Sequence, residues 1–308
     1  MMIKKIFLIS LIFPVMLSCK EDNSKEISDE MAEVEVSNES VTHNISADRP
    51  DLNISILMDL SDRIDPKLHP NSTMEYYQRD VGYIKSIVDN FENHLRNKRS
   101  IKMNDFIQLY IDPEPSDKEL NSKLNELKLE FDRHNATKDY ILSASDLYGS
   151  ISNDIYLKAI EDDNYVGSDI WRFFKGKVHD YCIKPDFKNV LVILTDGYIY
   201  HEDTKIKDGN LSTYLTPKVV NASKLNTIKW KEIMEKEHYG YIPATDGLQN
   251  LNVLVLGINA NKQNPFEEDI VKKYWSDWLG SMGVENYEIK TAELPSNMES
   301  IIEKFILN

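Results

Sequence analysis

Cysteine and basic residues are both scarce in this sequence. Only two cysteines, Cys19 and Cys182, occur among its 308 residues, and they form no CxxC pair. A disulfide framework and a thiolate zinc site are therefore not expected. Lysine and arginine number 36 against 51 aspartates and glutamates, which gives a formal net charge of -15. Nucleic-acid binding requires a basic face that replaces phosphate counterions, so the charge argues against a nucleic-acid partner.

Long apolar runs are missing except at the amino terminus. Residues 1–18 begin with a short basic segment and continue as an apolar run that ends in Leu17-Ser18, directly before Cys19. The run is too short to span a bilayer comfortably, and its layout is that of an export signal. The Ser-Cys junction resembles the lipobox of bacterial lipoproteins. This resemblance implies removal of residues 1–18 and lipidation of Cys19, which anchors the protein to the bacterial outer membrane. An uncleaved anchor or a plain secreted protein is the alternative.

Aromatic residues are missing from the segment that follows, residues 19–51. This segment is acidic and has few strongly apolar side chains, a composition typical of a disordered tether. Lys20-Glu21-Asp22 directly follows the cysteine and resembles the surface-export signals of some Gram-negative lipoproteins. We therefore expect a domain formed by residues 52–308 that contacts the membrane only through its lipid anchor, with exposure at the cell surface as one outcome.

Apolar strand-like runs alternate with amphipathic segments along the rest of the chain. Strands are predicted at residues 52–60, 105–112, 138–148, 188–197, 251–260 and 287–293. Helices are predicted at residues 73–97, 118–134, 152–163, 168–182, 225–238, 265–283 and 296–308, the last capped by Ser296 or Asn297. Strands that alternate with helices predict an α/β fold, a Rossmann-like three-layer sandwich with a mostly parallel central sheet.

Polar residues follow two of the predicted strands. The first strand ends in Asp59-Leu60-Ser61-Asp62-Arg63, and the central strand ends in Thr195-Asp196-Gly197. The crevice used by such folds lies beyond the carboxyl ends of the strands, so both carboxylates should meet at one edge of the sheet. Carboxylate and hydroxyl oxygens are ligands that Mg²⁺ prefers.

These motifs resemble the metal-ion-dependent adhesion site of the von Willebrand factor A (VWA) domain. That family has Asp-x-Ser-x-Ser after the first strand, a Thr in a middle loop and an Asp after the fourth strand. Asp59 and Ser61 match the first motif, Ser168 of "VGSDI" stands where Thr is usual, and Asp196 matches the last. The resemblance covers residues 52–308. It implies that these four residues bind Mg²⁺ or Mn²⁺, with Asp169 and Thr195 beside them.

The fifth position of the first motif holds Arg63 instead of Ser. A guanidinium does not ligate a cation and is always charged. If Arg63 points outward, a weakened metal site remains, with Asp62 helping. If it points inward, it pairs with Asp59 or Asp196 and replaces the metal. We expect metal binding, with a metal-free structural site as the alternative.

About fifty residues, 198–250, separate the central strand from the next one, although such connections are usually short. This insertion leaves from the same edge as Asp196 and should overhang the site. It is rich in tyrosine, at positions Tyr198, Tyr200, Tyr214, Tyr239 and Tyr241. Tyrosine suits recognition of a protein or a glycan, although packing of the insertion on itself explains the residues equally well.

Two classes of function remain. The first is a binding domain on the cell envelope with an unidentified protein or glycan partner. The second is a Mg²⁺-dependent phosphohydrolase that uses Asp59 as its nucleophile. Phosphatases of the haloacid-dehalogenase type place an acid two residues after that aspartate, where this chain has Ser61. We therefore expect a binding protein and not an enzyme.

Overall fold

The computed structural model describes residues 49–161 and 169–308. They form a mixed α/β fold in which helices surround a six-stranded, mostly parallel sheet, an arrangement compatible with a Rossmann-like fold. Within these two ranges, no helix is both long enough and apolar enough to cross a membrane. The signal peptide, Cys19, nearly all of the tether and Ser168 lie outside the described residues, so the statements made about them stay predictions.

The strands of the central sheet are β1 (Asp51–Met58), β2 (Asn104–Tyr110), β3 (Leu129–Asp132), β4 (Phe187–Leu194), β8 (Leu251–Ile258) and β9 (Asn286–Thr291). Three two-residue strands, β5 (Lys207–Asp208), β6 (Leu211–Ser212) and β7 (Gly240–Tyr241), form a smaller sheet. The order of strands across the central sheet is β3-β2-β1-β4-β8-β9. Neighbouring strands are parallel except for the outermost strand β3, which runs antiparallel to β2. The carboxyl ends of β1, β4 and β8 therefore share one edge of the sheet, which we call the carboxyl edge.

The helices of the described residues are α1 (Tyr76–Arg96), α2 (Lys118–Glu126), α3 (Lys138–Leu142), α4 (Ala144–Glu161), α5 (Ile170–Gly176), α6 (Val178–Cys182), α7 (Pro217–Ala222), α8 (Trp230–Glu237), α9 (Glu267–Ser281) and α10 (Pro295–Leu307). A short 3₁₀ turn at Asp62–Ile64 follows β1.

The central strands bury side chains on both faces of the sheet. In β4, Val190, Val192 and Leu194 belong to an apolar cluster that includes residues of α1, α4 and α10. Leu191 and Ile193, one position out of phase, belong to a second cluster with residues of α5 and α9. Burial on both faces explains why these strands are continuous apolar runs in the sequence.

The structure corrects the helix predicted at residues 118–134. The helix ends at Glu126, and the chain then forms the edge strand β3. In β3, Leu129 and Phe131 are buried while Glu130 and Asp132 are exposed, a period of two that identifies a strand. The apolar residues of the two elements join without a break, and this continuity hid the boundary in the sequence.

The strand predicted at residues 138–148 is also wrong, because this segment forms α3 and the start of α4. Thr137 caps α3 by accepting a hydrogen bond from the backbone N–H of Tyr140, 3.2 Å away. Ile141, Ala144 and Tyr148 are buried at steps of three and four, which is the period of a helix.

The last helix begins differently from the sequence prediction. Leu294 occupies the N-cap position and makes no side-chain cap, while Pro295 stands at the first turn. Proline suits this position because its fixed φ is helical and its missing N–H is not needed there. Ser296 and Asn297 therefore lie inside the helix and do not cap it.

Residues 198–250 form a small substructure whose buried side chains, such as Ile199, Leu215 and Tyr241, join the apolar cluster of α5 and α9. A three-stranded sheet, ordered β5-β6-β7, consists of the two-residue strands β5 (Lys207–Asp208), β6 (Leu211–Ser212) and β7 (Gly240–Tyr241). Helices α7 and α8 connect β6 to β7. The helix predicted at residues 225–238 is shorter than expected, since α8 begins at Trp230 and ends at Glu237.

Candidate binding site at the carboxyl edge

The parallel pairing of β1 with β4 brings the two polar motifs together. Met58 lies opposite Leu194 in the register, and the Asp59 N–H donates to the Leu194 carbonyl oxygen at 3.1 Å. Asp59 and Asp196 therefore both follow strand ends at the carboxyl edge, as the sequence predicted.

Asp59 forms the buried floor of the site, with 2% of its surface exposed. Its Oδ1 accepts a hydrogen bond from the Ser61 N–H at 2.8 Å. Its Oδ2 accepts one from the Thr195 hydroxyl at 3.0 Å. Thr195 is fully buried, and its own hydroxyl oxygen accepts the Gly197 N–H at 3.2 Å. Both carboxylate oxygens of Asp59 are thus engaged within the chain.

Arg63 points inward, and only 5% of it is exposed. Its Nη2 lies 2.5 Å from Asp80 Oδ2 on α1 and also donates to the Leu194 carbonyl oxygen at 3.1 Å. Its Nε lies 3.7 Å from Asp59 Oδ2. Of the two orientations considered from the sequence, the structure has the inward one, but the closest carboxylate partner is Asp80.

Asp80 on α1 forms an internal ion cluster with Arg63 and Asp59. The Tyr156 hydroxyl of α4 donates to Asp80 Oδ2 at 2.8 Å, so that one oxygen receives both a phenol and a guanidinium. Burial raises the pKa of Asp80 above its ordinary value, although Arg63 and Tyr156 act to lower it. Burial opposes the charge of Arg63 as well, but Asp80 and then Asp59 raise its pKa overall. The guanidinium is therefore a permanent buried cation.

Asp196 is the half-buried carboxylate of the site. Its Oδ1 accepts the Tyr198 N–H at 2.9 Å, and its backbone carbonyl accepts the Asn259 N–H at 3.0 Å. Burial and the nearby Asp59 carboxylate raise the pKa of Asp196 to about 7, while Arg63 acts to lower it. The positive charge of Arg63 therefore balances the negative charges of Asp59, Asp80 and Asp196 only in part.

Two glycines allow the backbone to close around this floor. Gly197 has φ +98°, and a Cβ there would lie 2.6 Å from Val271 Cγ1. Gly257 has φ +102°, and a Cβ there would lie 2.9 Å from the Thr195 carbonyl oxygen. Only glycine adopts such a conformation readily in so little space.

The two other residues of the first motif contribute differently. Ser61 uses its backbone N–H to hold Asp59, and no hydrogen bond of its hydroxyl is among the described contacts. Asp62 is exposed and lines the cavity above Arg63. The expectation that Ser61 supplies a hydroxyl ligand stays a prediction.

Asp169 lies at the N-terminus of α5 and caps it by accepting the Arg172 N–H at 3.0 Å. Its own N–H donates to the Asp112 carbonyl oxygen at 2.7 Å, and its Oδ2 lies 3.5 Å from His201 Nδ1. Asp169 is fully buried, and its described contacts join it to Asp112 and His201 but not to Asp59 or Asp196.

A cavity of about 590 Å³ opens above the floor at the carboxyl edge. Three tyrosines, Tyr76, Tyr198 and Tyr200, line it together with the carboxylates of Asp62 and Asp196. The rest of the lining comprises Arg63, His69, Pro70, Thr216, Pro217, Gly257, Asn259, Ala260, Asn261 and Lys262. The insertion therefore overhangs the site, because four of its residues form part of the wall.

Tyr198 is fixed in this wall by a buried acid. Its hydroxyl donates to Glu267 Oε1 at 2.6 Å and accepts the Asn261 N–H at 3.0 Å. Glu267 is fully buried at the start of α9. The aromatic ring is thus held in one orientation toward the cavity.

The described donors do not fit a divalent cation while Arg63 points inward. A cation bound at Asp59 would lie close to a buried guanidinium that is already 3.7 Å from the same carboxylate. Both Asp59 oxygens also accept hydrogen bonds from the chain. Across residues 49–161 and 169–308, no group of three or more His, Cys, Asp and Glu side chains is arranged to hold a metal.

The sequence did not identify Asp80 and Tyr156 as members of the site. A signal was present for Asp80, since it falls on the apolar face of α1, between Tyr77 and Ile84. A charged residue on a buried face requires a partner, so its position pointed to an internal cation. Tyr156 gave no such signal, because a tyrosine on the apolar face of a helix is common.

No family model matches this chain, and no curated protein matches it. Among solved structures, it is similar to an aerotolerance-related membrane protein from Bacteroides fragilis that carries multiple mutations to serines. The two chains are 12% identical, the match covers 83% of this chain and 98% of the other, and the TM-score is 0.37. A mutant of the PilB minor pilin from Streptococcus sanguinis has 10% identity, 83% and 61% coverage and a TM-score of 0.39. The pilus adhesin SpaC from Lactobacillus rhamnosus GG has 9% identity, 85% and 31% coverage and a TM-score of 0.38. These likenesses are too weak to carry an argument about this chain.

Proposed function

We propose that this chain is a lipid-anchored protein of the cell envelope whose residues 52–308 form a VWA-like, three-layer domain that binds a protein or glycan partner. The observation that supports a binding role is the cavity at the carboxyl edge, which combines three tyrosines with two carboxylates. Recognition sites are enriched in aromatic residues of this kind, and in open α/β sheets ligands bind at this edge.

The proposed site carries its own cation. Arg63 supplies the positive charge that Asp59 and Asp80 require, so that recognition proceeds without a metal. Support comes from the buried guanidinium with its contacts to Asp80, to the Leu194 carbonyl oxygen and to Asp59. Coordination of Mg²⁺ or Mn²⁺ by Asp59, Ser61, Ser168 and Asp196 is the competing prediction.

We further propose that the protein is not an enzyme. A nucleophile must reach its substrate, and the Asp59 carboxylate is buried beneath the cavity with both oxygens engaged. Incubation with generic phosphoesters and Mg²⁺ should give no turnover above that of an Asp59→Asn variant. Turnover that this variant loses would establish the phosphohydrolase instead.

The envelope location is tested at Cys19. Labelling with a fatty acid during growth should modify the wild-type protein and fail for Cys19→Ser. Cys182→Ser provides the matched control, because Cys182 is fully buried and should not affect lipidation. Equal labelling of Cys19→Ser would exclude Cys19 as the lipidation site, and absence of label from the wild-type protein would exclude the anchor.

Photocrosslinking tests the binding site directly. A benzophenone amino acid at Tyr200, which is 44% exposed, should crosslink a discrete partner in cells that make the protein. The same probe at Ile101, which is 75% exposed and precedes β2 at the opposite edge, serves as the control. Crosslinks at position 200 should persist after metal chelation. Identical products from both positions, or none from position 200, would refute a binding site at this edge.

A further inference from the structure

The charges at the carboxyl edge do not balance. Arg63 is held by Asp80 and faces Asp59, so it is committed to the buried floor. Asp62 and Asp196 line the cavity above it, and neither forms an ion pair within the described part of the chain. Two carboxylates therefore face the cavity without a cation of their own.

Two of the three cavity tyrosines already contact cations of this chain. The Arg79 guanidinium lies 5.3 Å from the centre of the Tyr76 ring, and Lys205 Nζ lies 5.5 Å from that of Tyr200. Such distances fall within the range of cation–π attraction. The third ring, Tyr198, is held by Glu267 and makes no cation–π contact among the described residues.

We infer that the cavity receives a basic side chain, a lysine or an arginine of a partner protein, between Asp62, Asp196 and the tyrosine rings. This inference rests on the proposed binding function and names its ligand class. A carboxylate ligand would meet the carboxylates of Asp62 and Asp196. Among the basic lining residues, Arg63 is already engaged by Asp80, and His69 and Lys262 are exposed. The net charge of -15 favours encounter with a basic partner in the same way.

An exposed apolar side chain beside the cavity favours a protein over a small free cation. Leu68, which directly precedes the lining residues His69 and Pro70, is 56% exposed. Apolar and aromatic contacts surround a charged anchor in many protein interfaces. A partner segment with a basic residue between apolar ones matches this arrangement.

Capped tripeptides of lysine, arginine and glutamate provide the probes, with affinity measured by calorimetry on the full-length protein in mild detergent. Trilysine and triarginine should bind, and triglutamate should not. Asp62→Asn should weaken trilysine binding about fivefold, as expected for loss of one ion pair near the surface. Asp62 is exposed, so this variant should fold normally.

Asp208→Asn is the matched control, because it removes the same charge from an exposed position on β5 outside the cavity. It should leave trilysine affinity unchanged. An equal loss in both variants would reduce the effect to the overall charge of the protein and overturn the inference. Binding of triglutamate as tight as that of trilysine would also overturn it. If position 200 crosslinks a partner but trilysine does not bind, the ligand class is wrong while the binding function stands.

Discussion

Buried ion clusters lie both at the carboxyl edge and at the opposite end of the central sheet, where the parallel strands begin, which we call the amino edge. The pKa of the buried carboxylates is shifted in opposite directions in the two clusters. At the amino edge, Asp105 lies 2.7 Å from Lys98 Nζ and 3.2 Å from His94 Nε2, and its Oδ1 accepts the Leu52 N–H at 2.8 Å. Lys98 also pairs with Asp51. Although burial opposes ionisation, hydrogen bonds from His94 and Lys98 lower the pKa of Asp105 overall.

At the carboxyl edge, a single guanidinium faces several carboxylates. Arg63 pairs with Asp80 and approaches Asp59, while Asp196 stays without an ion pair. The pKa of Asp196 and that of Asp80 are raised, opposite to that of Asp105. A cluster whose partners lower the pKa of its carboxylate stabilises the fold, whereas a cluster in which burial raises the pKa costs stability, as is common at ligand-binding sites.

Removal of Arg63 should have the largest effect on stability. Arg63→Met leaves Asp59 and Asp80 buried without a cation and should lower the free energy of unfolding by about 3–5 kcal/mol. Urea unfolding of the full-length protein at pH 7 measures this loss. The double variant Arg63→Met/Asp80→Asn should recover part of it, because one uncompensated charge is gone. A loss of less than about 1 kcal/mol, typical of an exposed pair, would show that Arg63 is not the internal cation.

Disruption of the amino edge should have a smaller effect. Asp105→Asn removes the charge that accepts the Lys98 hydrogen bond and lies 3.2 Å from His94 Nε2, but Lys98 keeps Asp51 as a partner. We expect a loss of about 2–3 kcal/mol in the same unfolding assay. The pKa of Asp105 is lowered from 3.8 in the folded protein. Its contribution to the free energy of unfolding should therefore be constant at neutral pH and be lost as the solution is acidified through the folded-state pKa. A loss larger than that of Arg63→Met would reverse the proposed order of the two clusters.

Removal of the Asp196 charge should change stability in the opposite direction, as a gain at alkaline pH. The folded-state pKa of Asp196 is raised from 3.8 to about 7, so the folded protein binds more protons than the unfolded chain between these values. Stability from this group therefore falls as pH rises through that window, by at most about 1.4 kcal/mol for each unit of pKa shift. Asp196→Asn should remove the slope and be more stable than wild type at pH 8. An unchanged pH dependence would contradict the uncompensated charge of Asp196.

The main features of the sheet followed from the sequence, because strands buried on both faces are continuous apolar runs. The meeting of Asp59 with Asp196 followed as well, since parallel strands end at one edge. The edge strand β3 and the helix α3 did not, because their short apolar patterns merge with those of neighbouring elements. The sequence also did not predict that Asp80 is the partner of Arg63. Asp80 lies on α1, and only the packing of that helix on the sheet brings it to the site.

A sequence pattern does not show which side chain of the turn after β1 is buried, and the orientation of Arg63 depends on this. The 3₁₀ turn at Asp62–Ile64 buries Arg63 and Ile64 and leaves Asp62 exposed. A motif match assigns residues to positions but does not say which side chain a turn buries. The carboxylate Asp80, available inside, decides the outcome in favour of an inward guanidinium.

Mn²⁺ binding, measured by calorimetry, tests the central claim that Arg63 takes the place of a metal. The wild-type protein should show no Mn²⁺ binding that depends on Asp59. Arg63→Ser, which restores the hydroxyl found in the VWA motif and removes the competing charge, should gain Mn²⁺ binding, and Arg63→Ser/Asp59→Ala should lose it again. Wild-type binding of Mn²⁺ that disappears in Asp59→Ala would contradict the account and establish a metal site beside the guanidinium.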